Sequence, residues 1–390
     1  MGDFSFYEFF CGGGMARAGL GGDWNCLFAN DFDAMKASSY VRNWGAGELA
    51  LKDIYAVETR ELPGRADLAW ASFPCQDLSL AGRGAGLTGG RSGAFWPFWR
   101  LIRRLGAEGR APSLIVLENV CGALTSHKGS DFRSLCAALS ELRYRFGAIV
   151  VDAVDFVPQS RPRLFLIAAA ESLRIPPELL AGNGSAKWHP RALREAHTAL
   201  SPEAKRCWVW WSLPEPSSRN AALIDLVEET PSGVRWLSPE ETQRLLSMMS
   251  EVNREKVDAA RNAKRRIIGA VYRRTRLDRD GDRVQRAEVR FDDVAGCLRT
   301  PAGGSSRQSL VIVEGERICI RLLSAREAAR LMGLPDNYEL PARYNDAYHL
   351  VGDGVVVPVV RHLAEHIFEP VLRANIAAAQ TSPTRRARCA

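Results

Sequence analysis

Short apolar runs alternate with amphipathic stretches along the first part of the chain. FSFYEFF (4–10) gives way to a glycine turn and MARAGLG, and NCLFAND (25–31) to FDAMKASSYVRNW. DLAWASF (67–73) precedes a glycine-rich loop and FWPFWRLIRRL, while LIVLENV (114–120) precedes SDFRSLCAALSELR. GAIVVDAVDF (147–156) leads to RLFLIAAA (163–170). Apolar runs of strand length between helix-period segments predict βαβ units and a largely parallel sheet covered on both faces, an α/β doubly wound fold. From Pro176 the pattern breaks into proline, tryptophan and charge (IPPELLAGNG, CWVWWSLPEPSS), then a basic stretch and TPAGGSSRQS, which reads as a smaller irregular domain. Helical periodicity returns near Arg321 with SAREAARLMG and VVVPVVRHLAEHIF. The expected organisation is a first domain over 1–180, an irregular one over 181–317, a return segment over 318–375 that completes the first, and a disordered tail over 376–390.

A chain of 390 residues, 46% hydrophobic and 25% charged, is long enough for two domains with real cores. Its net charge of +7 is concentrated: residues 254–290 hold 13 Lys/Arg against 6 Asp/Glu, also a net of +7. Such a stripe suits a polyanion, although it also fits a solvated helix face. The nine cysteines are odd in number and form no CxxC, which argues against a disulfide framework or a zinc knuckle; no metal site is expected. His362 and His366 share helical spacing but lie in an apolar-periodic segment, as packing histidines do. With no basic leader at the N-terminus and no 18-residue apolar run, the expectation is a soluble cytosolic protein without a membrane partner.

The suspicious residues gather where strands are predicted to end, the place where open α/β sheets bind ligands. Gly12 and Gly14 in FFCGGGMARAGLGG form either a structural turn or a close approach to a ligand. Arg17 stands where a dinucleotide fingerprint needs its third glycine, which disfavours NAD binding. Asp31 is placed to accept from a ribose diol, and Phe32 either stacks on a base or packs in the core. Cys75 follows Pro74 and precedes a loop with six glycines between Gly82 and Gly93. It reads either as a nucleophile whose thiolate Arg83 and Arg91 would favour, or as a small hydrophobe beside a floppy loop. Glu118 is an acid at a strand end or half of a Glu-Asn cap. Gln159, Arg161 and Arg163 alternate on one extended segment, so both arginines are expected on one side, suited to a phosphate or a base oxygen.

Taken in order, these motifs resemble those of the DNA cytosine-5 methyltransferases. They are FCGGG from Phe10, Asp31, Asp53-Ile54, Pro74-Cys75-Gln76, Glu118-Asn119-Val120, QSRPR from Gln159, RLLSAREAARLMGLPDNY from Arg321, and GDGVVVPV from Gly352. The resemblance implies an S-adenosylmethionine-dependent methyltransferase core, with the final motif returning beside the first and a target-recognition domain in the irregular middle. By that pattern Cys75, Glu118, Arg161 and Arg163 are catalytic. Cysteine addition to C6 of a flipped cytosine would activate C5, with Glu118 at N3, Arg163 on O2 and Arg161 supporting the site. Phe10, Gly12, Gly14, Asp31, Phe32, Asp53, Ile54, Pro74, Asn119, Asp353 and Val355 would hold S-adenosylmethionine, leaving S-adenosylhomocysteine as product. Gln76, Ser79, Arg83, Arg91, Thr300 and Arg307 would touch DNA. Two departures stand out. Gly352-Asp353-Gly354 replaces the family's Gly-Asn-Ser/Ala, and Cys297-Leu298 with Thr300 replaces its Thr-Leu pair. The implied protein is a monomeric prokaryotic enzyme acting on double-stranded DNA, paired with a restriction endonuclease or acting as an orphan. Alternatives are RNA cytosine-5 methylation by the same machinery and a catalytically silent DNA-binding relative.

Overall fold

A computed structural model of the chain describes residues 2–74, 92–217, 219, 221–277, 281–299 and 306–381. It comprises two compact units. One is Met1–Val151, Pro162–Glu215 and Val357–Ala390; the other is Asp152–Arg161 and Pro216–Val356.

The first unit is built on a seven-stranded sheet: β1 (Phe4–Phe9), β2 (Trp24–Asp31), β3 (Leu49–Leu51), β4 (Leu68–Ala71), β5 (Leu114–Val120), β6 (Tyr144–Asp152) and β7 (Pro162–Ala170). Their order is β3-β2-β1-β4-β5-β7-β6. Pairings from β3 through β5 are parallel, while β7 runs antiparallel to β5. The apolar runs become strands because they are covered on both sides, β4 along its whole length. One face packs Phe9, Phe28, Phe95 and Phe98; on the other, Trp70 meets Phe165 and Phe368 edge-on. Helix Val357–Leu363 packs on helix Met15–Leu20. Gly19 allows that approach, since a Cβ there would lie 2.4 Å from the Val360 Cβ.

The second unit carries a four-stranded antiparallel sheet, β11-β10-β8-β9, made from β8 (Ile267–Leu277), β9 (Arg283–Arg290), β10 (Ser309–Glu314) and β11 (Arg317–Leu322). Helix Glu251–Asn262 supplies Val257 and Ala260 to a small core with Val271, Ala287, Val289, Val311 and Ile320. The middle of the chain is therefore more regular than its composition suggests: arginine-rich strands whose outer halves meet solvent do not read as apolar runs. The division also differs from the expected boundaries. Residues 181–215 belong to the first unit and 318–356 to the second. Helix Glu369–Thr381 continues to residue 381, so the first part of the expected disordered tail is helical.

A buried ion pair anchors the second unit. The Arg321 guanidinium donates to both Glu327 carboxylate oxygens, at 2.6 and 2.7 Å, with both residues 1% exposed or less. Glu327 also accepts from the backbone N–H groups of Glu228 and Ser324, and Trp236 lies 5.1 Å from the guanidinium carbon. Removing one partner strands the other's charge, so Glu327→Ala should destabilise the chain by about 3–5 kcal/mol in urea denaturation. Loss below ~1 kcal/mol would show the guanidinium to be otherwise satisfied.

Candidate active site

The strand order reverses between β1 and β4, which puts their carboxyl ends side by side at the switch point. Phe9 sits level with Asn30 of β2 on one side and Ala71 of β4 on the other. After β1 the chain turns tightly: Phe10, Gly12 and Gly14 all have positive φ, 57°, 54° and 77°. The two glycines serve different ends. A Cβ on Gly14 would strike the Trp44 indole at 2.4 Å, whereas one on Gly12 would meet nothing within 4 Å among the described residues. Gly14 thus makes room for protein, and Gly12 borders open space. The Gly12 N–H donates to Asp31 at 2.8 Å, the Asp33 N–H to the other Asp31 oxygen at 2.9 Å, and Trp44 Nε1–H to the Gly13 carbonyl at 3.0 Å. Asp31 is 7% exposed while the neighbouring Phe32 is 67% exposed. Burial pushes the Asp31 carboxyl above its ordinary range. Asn30 donates to the Ala50 and Lys52 carbonyls, and Asp53 caps the turn that buries Ile54.

Beneath this turn lies Glu8 of β1, 1% exposed, with one carboxyl oxygen lacking a hydrogen-bond partner among the described residues. Burial is the leading cause that pushes its pKa up to about 8, opposed by Arg17 and by the Arg17 and Ala16 N–H groups. Arg17 in turn donates to the Tyr40 hydroxyl at 2.8 Å and pairs with Glu48 at 3.3 Å. The sequence reading passed over Glu8, Asn30 and Trp44; an acid inside FSFYEFF was the available signal for the first.

The second cluster lies at the ends of β4, β5 and β7. Asn119 Nδ2–H donates to the Phe73 carbonyl at 3.2 Å, holding the segment that enters Pro74. Antiparallel register brings Val120 opposite Arg163, and Arg163 Nε sits 3.3 Å from Glu118 Oε1 with both side chains largely buried. An acid and a cation thus meet at the rim of the sheet, two strands from the glycine turn.

Arg161 has a different destination. It is 3% exposed, and its guanidinium donates to the carbonyls of Leu298, Gly352 and Gly354 at 2.8–2.9 Å. The two arginines therefore do not form one recognition face: buried carbonyls require donors, and Arg161 supplies them within the second unit. Gln159, fully buried, joins the Leu298 N–H to the Leu331 carbonyl in the same unit. Asp353 ends helix Tyr344–Asp353 as an exposed residue, Val355 is buried, and Arg307 reaches Asn345 and lies over Tyr344. Cys75, Gln76, Ser79, Arg83, Arg91 and Thr300 lie outside the described residues.

The strand order with its antiparallel β7, the glycine turn after β1 and the acid ending β2 define the S-adenosylmethionine-dependent methyltransferase fold. A family model described as C-5 cytosine-specific DNA methylase matches residues 4–369, and the chain belongs to that family. It is a DNA cytosine-5 methyltransferase. Among curated relatives, the Type II methyltransferase M.HpaII of Haemophilus parainfluenzae is 27% identical, over 94% of this chain and 89% of its own. M.HhaI of Haemophilus parahaemolyticus is 24% identical over 88% and 87%. Similar solved folds include the Dnmt2 methyltransferase of S. pombe, with TM-score 0.57, 16% identity and coverage of 94% of this chain and 98% of that one. Among the described residues no helix is long and apolar enough to cross a membrane.

Glu8 makes the fold pH-sensitive with a definite sign. Its folded pKa of about 8 lies above the ordinary 4.5, so the stabilisation is complete below 4.5 and is lost as pH rises to about 8. Glu8→Gln should remove this dependence: the melting temperature of the variant, measured against the wild type, should gain steadily from pH 5 to 8. A constant difference would mean that Glu8 is ionised throughout.

Proposed function

We propose that this chain methylates C5 of a specific cytosine in duplex DNA through a transient Cys75 adduct, with S-adenosylmethionine as donor. The Glu118–Arg163 pair carries this reading. It puts a carboxyl group and a cation at the strand ends beside the Phe73-Pro74 segment that leads to Cys75, tethered there by Asn119.

The cofactor reading is supported by the open space at Gly12, which no side chain among the described residues fills, and by the buried Asp31 beside the exposed Phe32 ring. Gly12, Asp31, Phe32 and Asp53 would hold S-adenosylmethionine there. When bound, it supplies an electrophilic methyl group. The chain's own residues prepare the acceptor. The Cys75 thiolate adds to C6, while Glu118 donates at N3 and stabilises the electron density that the attack pushes into the ring. C5 thereby becomes nucleophilic enough to take a methyl group. Loss of the C5 proton to solvent base and expulsion of the Cys75 thiolate then restore aromaticity. Arg163 holds Glu118 in position and would donate to the cytosine O2 when the base is bound. A stacked base cannot reach these groups, so the cytosine is flipped out of the helix. The Type II names of the relatives support pairing with a restriction endonuclease, the chain itself acting as a cytosolic monomer.

Replacing the C5 hydrogen of the target by fluorine blocks the elimination. A duplex so substituted should give a denaturant-resistant protein–DNA adduct with the wild type and none with Cys75→Ser. Failure of the wild type to form it on a cognate duplex overturns the mechanism. The two glycines should separate as well. Gly12→Ala should weaken S-adenosylmethionine binding at least tenfold and lower the melting temperature only by the strain of its positive φ, whereas Gly14→Ala, which adds a collision with Trp44 to the same strain, should lower the melting temperature further. Equal effects in both assays would place Gly12 among the merely structural glycines.

A further inference from the structure

β8 is longer than the sheet that supports it. Its pairing with β10 ends at Val271, opposite Ser309, but its pairing with β9 continues through Leu277, opposite Arg283. Residues 272–277 and 283–288 therefore form a two-stranded ribbon about 20 Å long beyond the rest of the sheet. Isolated ribbons are marginal in water, and this one has no apolar face to hold it.

Its two faces differ in charge bookkeeping. The even face carries Arg274 and Arg276, both paired with Glu288, and Arg286 opposite Arg274; Arg274 also lies over the Tyr272 ring at 4.8 Å. The odd face starts in the core with Val271, Ala287 and Val289 beneath helix Glu251–Asn262. Beyond that cover it continues as Arg273, Thr275 and Leu277 on β8, with Gln285 and Arg283 opposite the last two. All five are exposed, Leu277 at 69%, and none of their side chains makes an ion pair or hydrogen bond among the described residues.

We propose that this odd face, Arg273, Thr275, Arg283 and Gln285 with Leu277, reads base edges in the major groove and sets the sequence that is methylated. The assignment rests on duplex DNA being the substrate. A two-stranded ribbon fits a groove about 12 Å wide, arginine matches guanine O6 and N7, glutamine matches adenine, threonine serves either, and an exposed leucine suits the thymine methyl group. Readout needs donors and acceptors not already engaged within the protein, which holds for every polar side chain of this face among the described residues, whereas Glu288 engages Arg274 and Arg276 on the reverse. Those two arginines, with Arg286 beside them, serve phosphates, which bind without regard to sequence.

The test is bisulfite sequencing of a randomised duplex library methylated by the wild type and by Arg273→Ala, Thr275→Ala, Arg283→Ala and Gln285→Ala. At least one odd-face variant should lose about tenfold or more discrimination at a single position of the consensus. Arg274→Ala and Arg286→Ala should slow all sites alike and flatten the salt dependence. The substituted side chains are exposed, so melting temperatures should match the wild type. An unchanged consensus in all four odd-face variants overturns the ribbon assignment alone. Absence of C5 methylation by the wild type overturns the catalytic reading and this one with it. A response confined to a transfer RNA pool overturns the assignment to duplex DNA.

Discussion

Where a buried parallel sheet ends, its loops leave backbone groups that need partners, and side chains supply them. Asp31 receives the Gly12 N–H, Trp44 donates to the Gly13 carbonyl, Asn30 binds the carbonyls of Ala50 and Lys52, and Asn119 binds that of Phe73. Each contact satisfies a polar group and fixes a loop that has no ladder of its own. The glycine turn after β1 and the Phe73-Pro74 segment inherit their positions from these bonds. A mutation at any of them would change the site without touching a reacting atom.

Two carboxyl groups of the same sheet show how surroundings decide chemistry. Glu118, at the end of β5, has a guanidinium 3.3 Å away and access to the rim. Glu8, inside β1, has one oxygen with no hydrogen-bond partner among the described residues, and burial drives it toward the neutral form despite Arg17. Both are glutamates on apolar strands. Strand position, and with it distance from solvent and from a cation, leaves one paired at the rim of the sheet and makes the other a pH-dependent part of the core.

The second unit applies the same economy to charge. Arg321 and Arg161 are buried and direct their terminal guanidinium N–H groups at carboxylate or carbonyl oxygens, so they hold segments of that unit together. The ribbon arginines are exposed, and several have no partner among the described residues. Residue type alone does not distinguish these roles, since all are arginines in the same half of the chain.

The amino-acid sequence by itself determined the strands whose residues are apolar throughout, such as LIVLENV and DLAWASF, because burial on both faces leaves an unbroken hydrophobic run. It also determined the motif order that identifies the family and the location of excess positive charge. The antiparallel sheet of the second unit was not legible, since its two longest strands, β8 and β9, lose their apolar pattern where they run out into solvent. Nor was the separation of Arg161 from Arg163: alternation along a strand says which side chains share a direction, not which carbonyls or carboxylates will be waiting there. Partners distant along the chain, such as Gly352 for Arg161 or Tyr40 for Arg17, meet only when the fold closes. Tertiary structure alone therefore decided which charges are neutralised and which remain available for a substrate.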